Sequence, residues 1–170
     1  MLFRSTLTLT HDNPAMIKRA VDAFTNGRFL NEFVPVPTAL TETIAGSYGN
    51  NDKQTALEQQ EENNRKEYGY KNWYDFCVNE WGTKWDVGDS NGINQVSENK
   101  LIVYFESAWA PPTTAYEKML DLGFLIEATY YEPGMGFVGR WDNGDDDMYE
   151  LSNMNSNDVR ETIQIGRAHV

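Results

Sequence analysis

Apolar and polar residues alternate strictly at the start of the chain. Phe3, Leu7 and Leu9, with the small Ser5 in phase, interleave with Arg4, Thr6, Thr8 and Thr10. A period of two predicts a half-buried strand. The period then changes. Ile17, Ala20, Val21 and Phe24 recur at i, i+3, i+4, i+7, with Asp12 or Asn13 as cap, Pro14 at the first turn and Gly27 as stop. This spacing predicts an amphipathic helix. Phe29–Pro37 follows, and its prolines exclude a central strand, so an extended segment laid over the core is expected.

Residues 41–71 form a polar stretch. Gly46, Gly49, Asn50 and Asn51 mark a loop, and Gln54–Glu67 has helix-forming composition with Leu57 as nearly its one large apolar residue. That pattern fits a solvated helix or a mobile insertion. Asn72–Trp85 restores an apolar face, with Asn72 as cap, Gly82 as stop and Trp73, Phe76, Cys77 and Trp81 together on one side. Leu101–Glu106 is apolar on both faces, as a central strand is. Pro111-Pro112 opens a second amphipathic helix through Tyr116, Met119 and Leu120 to Gly123. Leu125–Tyr131, Met135–Trp141 and Met148–Leu151 form a meander, with Asn143-Gly144 as a hairpin turn. Strands and helices in this order predict an α+β sandwich: an antiparallel or mixed sheet with helices on one face and a polar helical insertion at 41–71.

Composition narrows the function. The chain has 170 residues, is 40% hydrophobic and carries a formal net charge of −12. It is long enough for one domain with a real core and too apolar for general disorder. The acidic balance disfavours a protein that coats nucleic-acid phosphates. No apolar run reaches the ~20 residues of a membrane helix. One cysteine, Cys77, excludes an internal disulfide framework. With no signal peptide at the N-terminus, the cytoplasm is the expected compartment. At the other end, Ile165–Val170 is what ATC GGA AGA GCA CAC GTC encodes, a string resembling the start of a common sequencing-library adapter. The natural domain is therefore read as 1–163, and 164–170 is set aside as translated adapter.

Four segments together carry a family resemblance. They are Phe33–Pro37, Asn72–Asp75 with Glu80–Asp86, Ser107–Pro112 and Glu132–Gly139. In order and spacing the chain resembles the YubB ferredoxin-like family of bacteriophages, plasmids and bacterial genomes, a domain of unknown function. The resemblance implies a ferredoxin-like sandwich and a mobile-element origin. It implies no catalytic residues.

The residues offer little chemistry by themselves. Gly82-Thr83-Lys84 lacks the second glycine and the strand-to-helix setting of a phosphate loop. His11 and Cys77 are the one available Cys–His pair, and Cys77 lies on the apolar helix face. Asp145, Asp146 and Asp147 form an acidic patch without EF-hand spacing and read as a solvated hairpin tip. Trp73 and Trp81 read as core anchors. Trp85, Asp86, Glu106, Trp109, Tyr131, Glu132 and Arg140 are the candidate binding residues, charges and aromatics near strand ends. Tyr104, Tyr130 and Trp141 are candidates for an open aromatic sheet face of the RNA-binding kind, although the basic run that accompanies it is missing.

These observations lead to a non-enzymatic interaction module, with no cofactor and no metal, that binds a host or phage protein. An acidic inhibitor of a nucleic-acid-handling or defence protein is its specific form. The alternative is a small-ligand binder or enzyme with a pocket between the Trp81–Trp85 segment and the strand ends at Glu106–Trp109 and Tyr131–Gly134. An RNA-binding sheet is the third expectation.

Overall fold

A computed structural model describes residues 1–151 and Asn157. The expected natural end at Ile163 and the 164–170 tail lie outside the described residues. The chain begins with β1 (Leu2–Thr10) and α1 (Pro14–Thr25). It continues through α2 (Phe29–Phe33), α3 (Thr38–Thr41), α4 (Asp52–Tyr68) and α5 (Trp73–Glu80). Then come β2 (Ile93–Ser97), β3 (Lys100–Ala108), α6 (Thr113–Asp121), β4 (Leu125–Glu132), β5 (Phe137–Asp142) and β6 (Asp145–Glu150).

The strands form one sheet in the order β2-β3-β1-β4-β5-β6, antiparallel throughout. The first four strands in space, with α1 and α6 as crossovers, make the β-α-β-β-α-β arrangement of the ferredoxin-like sandwich. The hairpin β5–β6 extends it past β4. β2 is an addition to the sequence expectation. Its residues Ile93–Ser97 are half-exposed or exposed, so an edge strand left no hydrophobic period to read.

Strand parity decides which side chains meet the helices. Phe3, Leu7 and Leu9 of β1, Leu101, Val103 and Phe105 of β3, and Ile126, Ala128 and Tyr130 of β4 are all buried under the helices. Ile17, Ala20 and Phe24 of α1 and Ala115, Tyr116 and Met119 of α6 close the core above them. The other sheet face carries Arg4, Thr6, Tyr104, Glu106, Thr129 and Tyr131, and no helix among the described residues packs on it.

One segment differs from expectation, and the polar stretch takes the helical one of its two expected forms. Phe29–Phe33 is a short helix rather than extended chain, because Phe29, Leu30 and Phe33 together reach the core on one side of a turn. The polar stretch holds a full helix, α4. Asn51 caps it through Lys53 N and Gln54 N, and Gly69 ends it at φ +82. Leu57 and Asn64 fasten it, the Asn64 amide donating to Thr43 Oγ1 at 2.9 Å and to Lys71 O at 2.8 Å.

The late hairpin forms as its sequence predicts. Asn143 and Gly144 take φ of +48° and +112°, the left-handed pair that a two-residue turn requires. The strand after it starts earlier than expected, at Asp145.

Candidate functional site

The sheet register arranges the uncovered face in rows. One row runs Tyr104, Thr6, Thr129, Arg140, Asp147 across β3, β1, β4, β5 and β6. The adjacent row runs Glu106, Arg4, Tyr131, Val138, Tyr149 across the same strands. Thr6 and Thr129 are short and sit between long neighbours. The result is a trough of about 890 Å³, floored by the two threonines and walled by Tyr104, Arg4, Tyr131, Tyr149 and Arg140. The segment Asp86–Asp89 forms its rim beside β3. Just beyond that segment the chain meets the sheet, where Tyr104 N donates to Gly92 O at 2.8 Å.

Both arginines of the trough are paired. Arg4 Nε lies 3.1 Å from Glu106 Oε1. Arg140 lies 2.9 Å from Asp142 and 3.7 Å from Glu127. The hydroxyls are not paired. Among the described residues, Tyr104, Tyr131, Tyr149, Thr6 and Thr129 make no side-chain hydrogen bond. The trough therefore offers phenol faces, spare hydroxyl donors and acceptors, and carboxylates at both ends. Such a surface stacks planar groups and attracts cations.

The structure divides the candidates. Glu106, Tyr131, Arg140 and Asp86 line the trough. Glu132 points to the helix side, is buried, and accepts from Gly134 N at 3.0 Å and Met135 N at 2.6 Å, so it shapes the turn after β4. Trp85 and Trp109 lie apart from the trough and hold Lys84 between them. The trough lies on the sheet face and meets the expected pocket at Glu106 and Tyr131 and at Asp86–Asp89, just after the Trp81–Trp85 segment.

Asp86 also has a scaffold role. Its carboxylate accepts from Leu30 N at 2.6 Å, Asn31 N at 3.0 Å and Val87 N at 2.8 Å, capping α2 from a distant part of the chain. Burial raises its pKa, and these amides act against that rise.

Two expectations for the open face require correction. Tyr130 and Trp141 are on the helix side, at 2% and 1% exposure. Trp141 packs on Tyr116 with ring centroids 5.3 Å apart. Tyr130 lies across Gly139, where an added Cβ would meet its ring at 2.2 Å, and its hydroxyl reaches Asp146 at 2.5 Å. Burial, then that bond, raises the Tyr130 pKa. Asp145–Asp147 are therefore strand residues rather than a hairpin tip, and Asp146 faces away from its two neighbours to meet Tyr130.

His11 and Cys77 each have structural partners or surroundings. His11 Nδ1 accepts from Asn13 N, and Nε2 donates to Leu122 O, both at 2.9 Å. Cys77 is 3% exposed, and burial pushes its thiol up to about 12, with the Asp86 charge adding to the effect. Trp81 anchors the core and donates from Nε1 to Val34 O at 2.8 Å. Gly82 follows α5 at φ +83 against Thr114 and Pro111, a helix-end position. Among the described residues, no group of three or more His, Cys, Asp or Glu is placed to hold a metal ion.

Sequence reasoning missed Arg4, Thr6, Thr129 and Tyr149. The alternation in β1 already set Arg4 and Thr6 opposite the core, but only the register brings them beside Tyr104 and Tyr131.

No known family model matches the chain, and no curated protein matches it. Among solved structures, it is similar to the crystal structure of protein api92 from Yersinia pseudotuberculosis, of family DUF1281. The identity is 12% and the TM-score 0.45, over 91% of this chain and 99% of that one.

Proposed function

We propose that this chain is a non-enzymatic binding module that receives a basic segment of a host or phage protein in the trough on the uncovered sheet face. The observation that carries the reading is the set of three exposed tyrosines, Tyr104, Tyr131 and Tyr149, with unpartnered hydroxyls between carboxylate-bearing ends. Lysine and arginine side chains stack on such rings, and their charges suit Asp89 and Asp147. A net charge of −12 steers basic partners toward the chain. Both arginines of the trough are already neutralised by carboxylates, which disfavours a nucleic-acid backbone as the occupant. Proteins that handle nucleic acid present basic segments, so the partner class includes them, and the module then acts as an acidic competitor. The YubB-like segments support an accessory role on a mobile element. No helix among the described residues is long and apolar enough to cross a membrane. A small polar ligand is the second reading, favoured by the trough volume, which falls in the about 300–1,000 Å³ range of ligand pockets.

The test is a fluorescence-anisotropy titration of labelled peptides rich in lysine and arginine. The wild-type chain is expected to bind them, more weakly as salt rises toward ~0.5 M. A Tyr104→Ala/Tyr131→Ala double variant is expected to lose about tenfold or more in affinity. Absence of binding by the wild type, or equal binding by the variant, would contradict the reading.

A further inference from the structure

A second cluster lies at the end of β3, away from the trough. The Lys84 ammonium nitrogen sits 4.0 Å from the Trp85 ring centroid and 3.9 Å from that of Trp109. Tyr74 meets Trp109 edge-on at 6.3 Å, and Trp73 meets Tyr74 at 5.9 Å. Both indoles that hold the lysine remain about half in solvent, Trp85 at 56% and Trp109 at 50% exposure. Core packing does not account for two large exposed rings set around one cation.

The cluster is held in place from several directions. The Thr83 hydroxyl, one residue before the lysine, donates to Ala108 O at 2.8 Å and is buried. Asp86, two residues after it, is fixed to the amides of α2. Trp109 adopts φ +71, a left-handed backbone that bulky residues rarely take, while its N–H donates to Met1 O at 3.1 Å. Strain of this kind persists where the surrounding structure imposes it, and it concentrates at binding sites.

Lys84 has no acceptor of its own. Among the described residues it makes no hydrogen bond and no ion pair, in a chain with 26 carboxylate side chains. The nearest acid in sequence, Asp86, is turned toward the amides of Leu30, Asn31 and Val87. The ammonium thus keeps its N–H donors while two indole faces hold it and displace part of its water. A free lysine gives up rotamer freedom and hydration when it binds an anion. Lys84 has already lost much of both.

We propose that Lys84, Trp85 and Trp109 form a recognition site for a carboxylate carried on an apolar or aromatic body. The carboxylate meets the ammonium, and the body lies against the exposed indole surfaces. One positive charge suits a monoanion. A phosphate dianion calls for more donors and is repelled more strongly by the net charge of −12. At physiological salt, screening over about 8 Å leaves the local cation in control of a monoanion at contact. The carboxylate belongs either to a free small acid or to the C-terminus of a protein. This site shares no residue with the trough, so the two proposals fail independently.

The test follows the indole N–H signals of the full chain by two-dimensional NMR. Trp85→Phe and Trp109→Phe assign the two signals. Benzoate is expected to shift both saturably, while the buried Trp81 and Trp141 signals stay fixed and report an intact fold. Benzyl alcohol, the same ring without charge, is expected to leave them unmoved. Lys84→Gln is expected to weaken benzoate about tenfold or more, and Lys84→Arg to retain it. No shift with benzoate, an equal shift with benzyl alcohol, or undiminished binding by Lys84→Gln would overturn the proposal. N-acetylphenylalanine against its amide then separates the two sources. Tighter binding than benzoate with loss on amidation assigns a protein C-terminus, and tighter benzoate binding assigns a small acid.

Discussion

Trp141→Ala is expected to lower the melting temperature by roughly 10–15 °C, a loss of about 3–5 kcal/mol. Trp141 is 1% exposed, stands opposite Ala128 in the sheet register, and packs on the fully buried Tyr116 of α6. Removing the indole opens a cavity where β5 joins the core, and strands on both sides restrict its collapse. Total stabilities of about 5–15 kcal/mol make such a loss a large fraction of the whole. Circular dichroism melts measure it. A shift under about 2 °C would place the indole outside the core, on the open face where the RNA-binding reading set it with Tyr104 and Tyr130.

Asp86→Ala is expected to cost about 2 kcal/mol at neutral pH, because Leu30 N, Asn31 N and Val87 N lose their acceptor together. Its pH dependence distinguishes this carboxylate from an ordinary surface acid. Burial raises the Asp86 pKa, so in the fold the group takes up its proton at a higher pH than in the unfolded chain. Its contribution to stability is then fullest below the ordinary carboxylate range and declines as pH rises through the raised value. The stability gap between wild type and Asp86→Ala should therefore widen on acidification. Chemical denaturation at a series of pH values measures this. A gap that narrows on acidification would mean that the carboxylate is held below its ordinary range.

How far the sequence speaks depends on where each side chain faces. Phe3, Leu7 and Leu9 define the core face of β1 because their alternation is a direct imprint of burial. Asn143-Gly144 announces its turn because few residue pairs accept two left-handed positions in succession. Phe29–Phe33 misled because five residues are too few to show a helical period and the following prolines suggested extension. The trough was harder still. Tyr104 and Tyr131 are separated by a helix in sequence and become close only through β1, which pairs with β3 on one side and β4 on the other. Tyr130 and Tyr131 show the limit plainly. They are neighbours in sequence and differ in burial, 2% against 40% exposure, and only the register decides which one a ligand can meet.

The central claim is that the uncovered sheet face is the binding surface. Its most direct test is backbone-amide NMR of the full chain with and without a saturating lysine- and arginine-rich peptide. The account predicts shifts concentrated along the two rows through Tyr104, Thr6, Thr129 and Arg140 and through Glu106, Arg4, Tyr131 and Tyr149, together with Asp86–Asp89. Shifts confined to the exposed sides of α1, α4 or α6, with both rows unmoved, would contradict it.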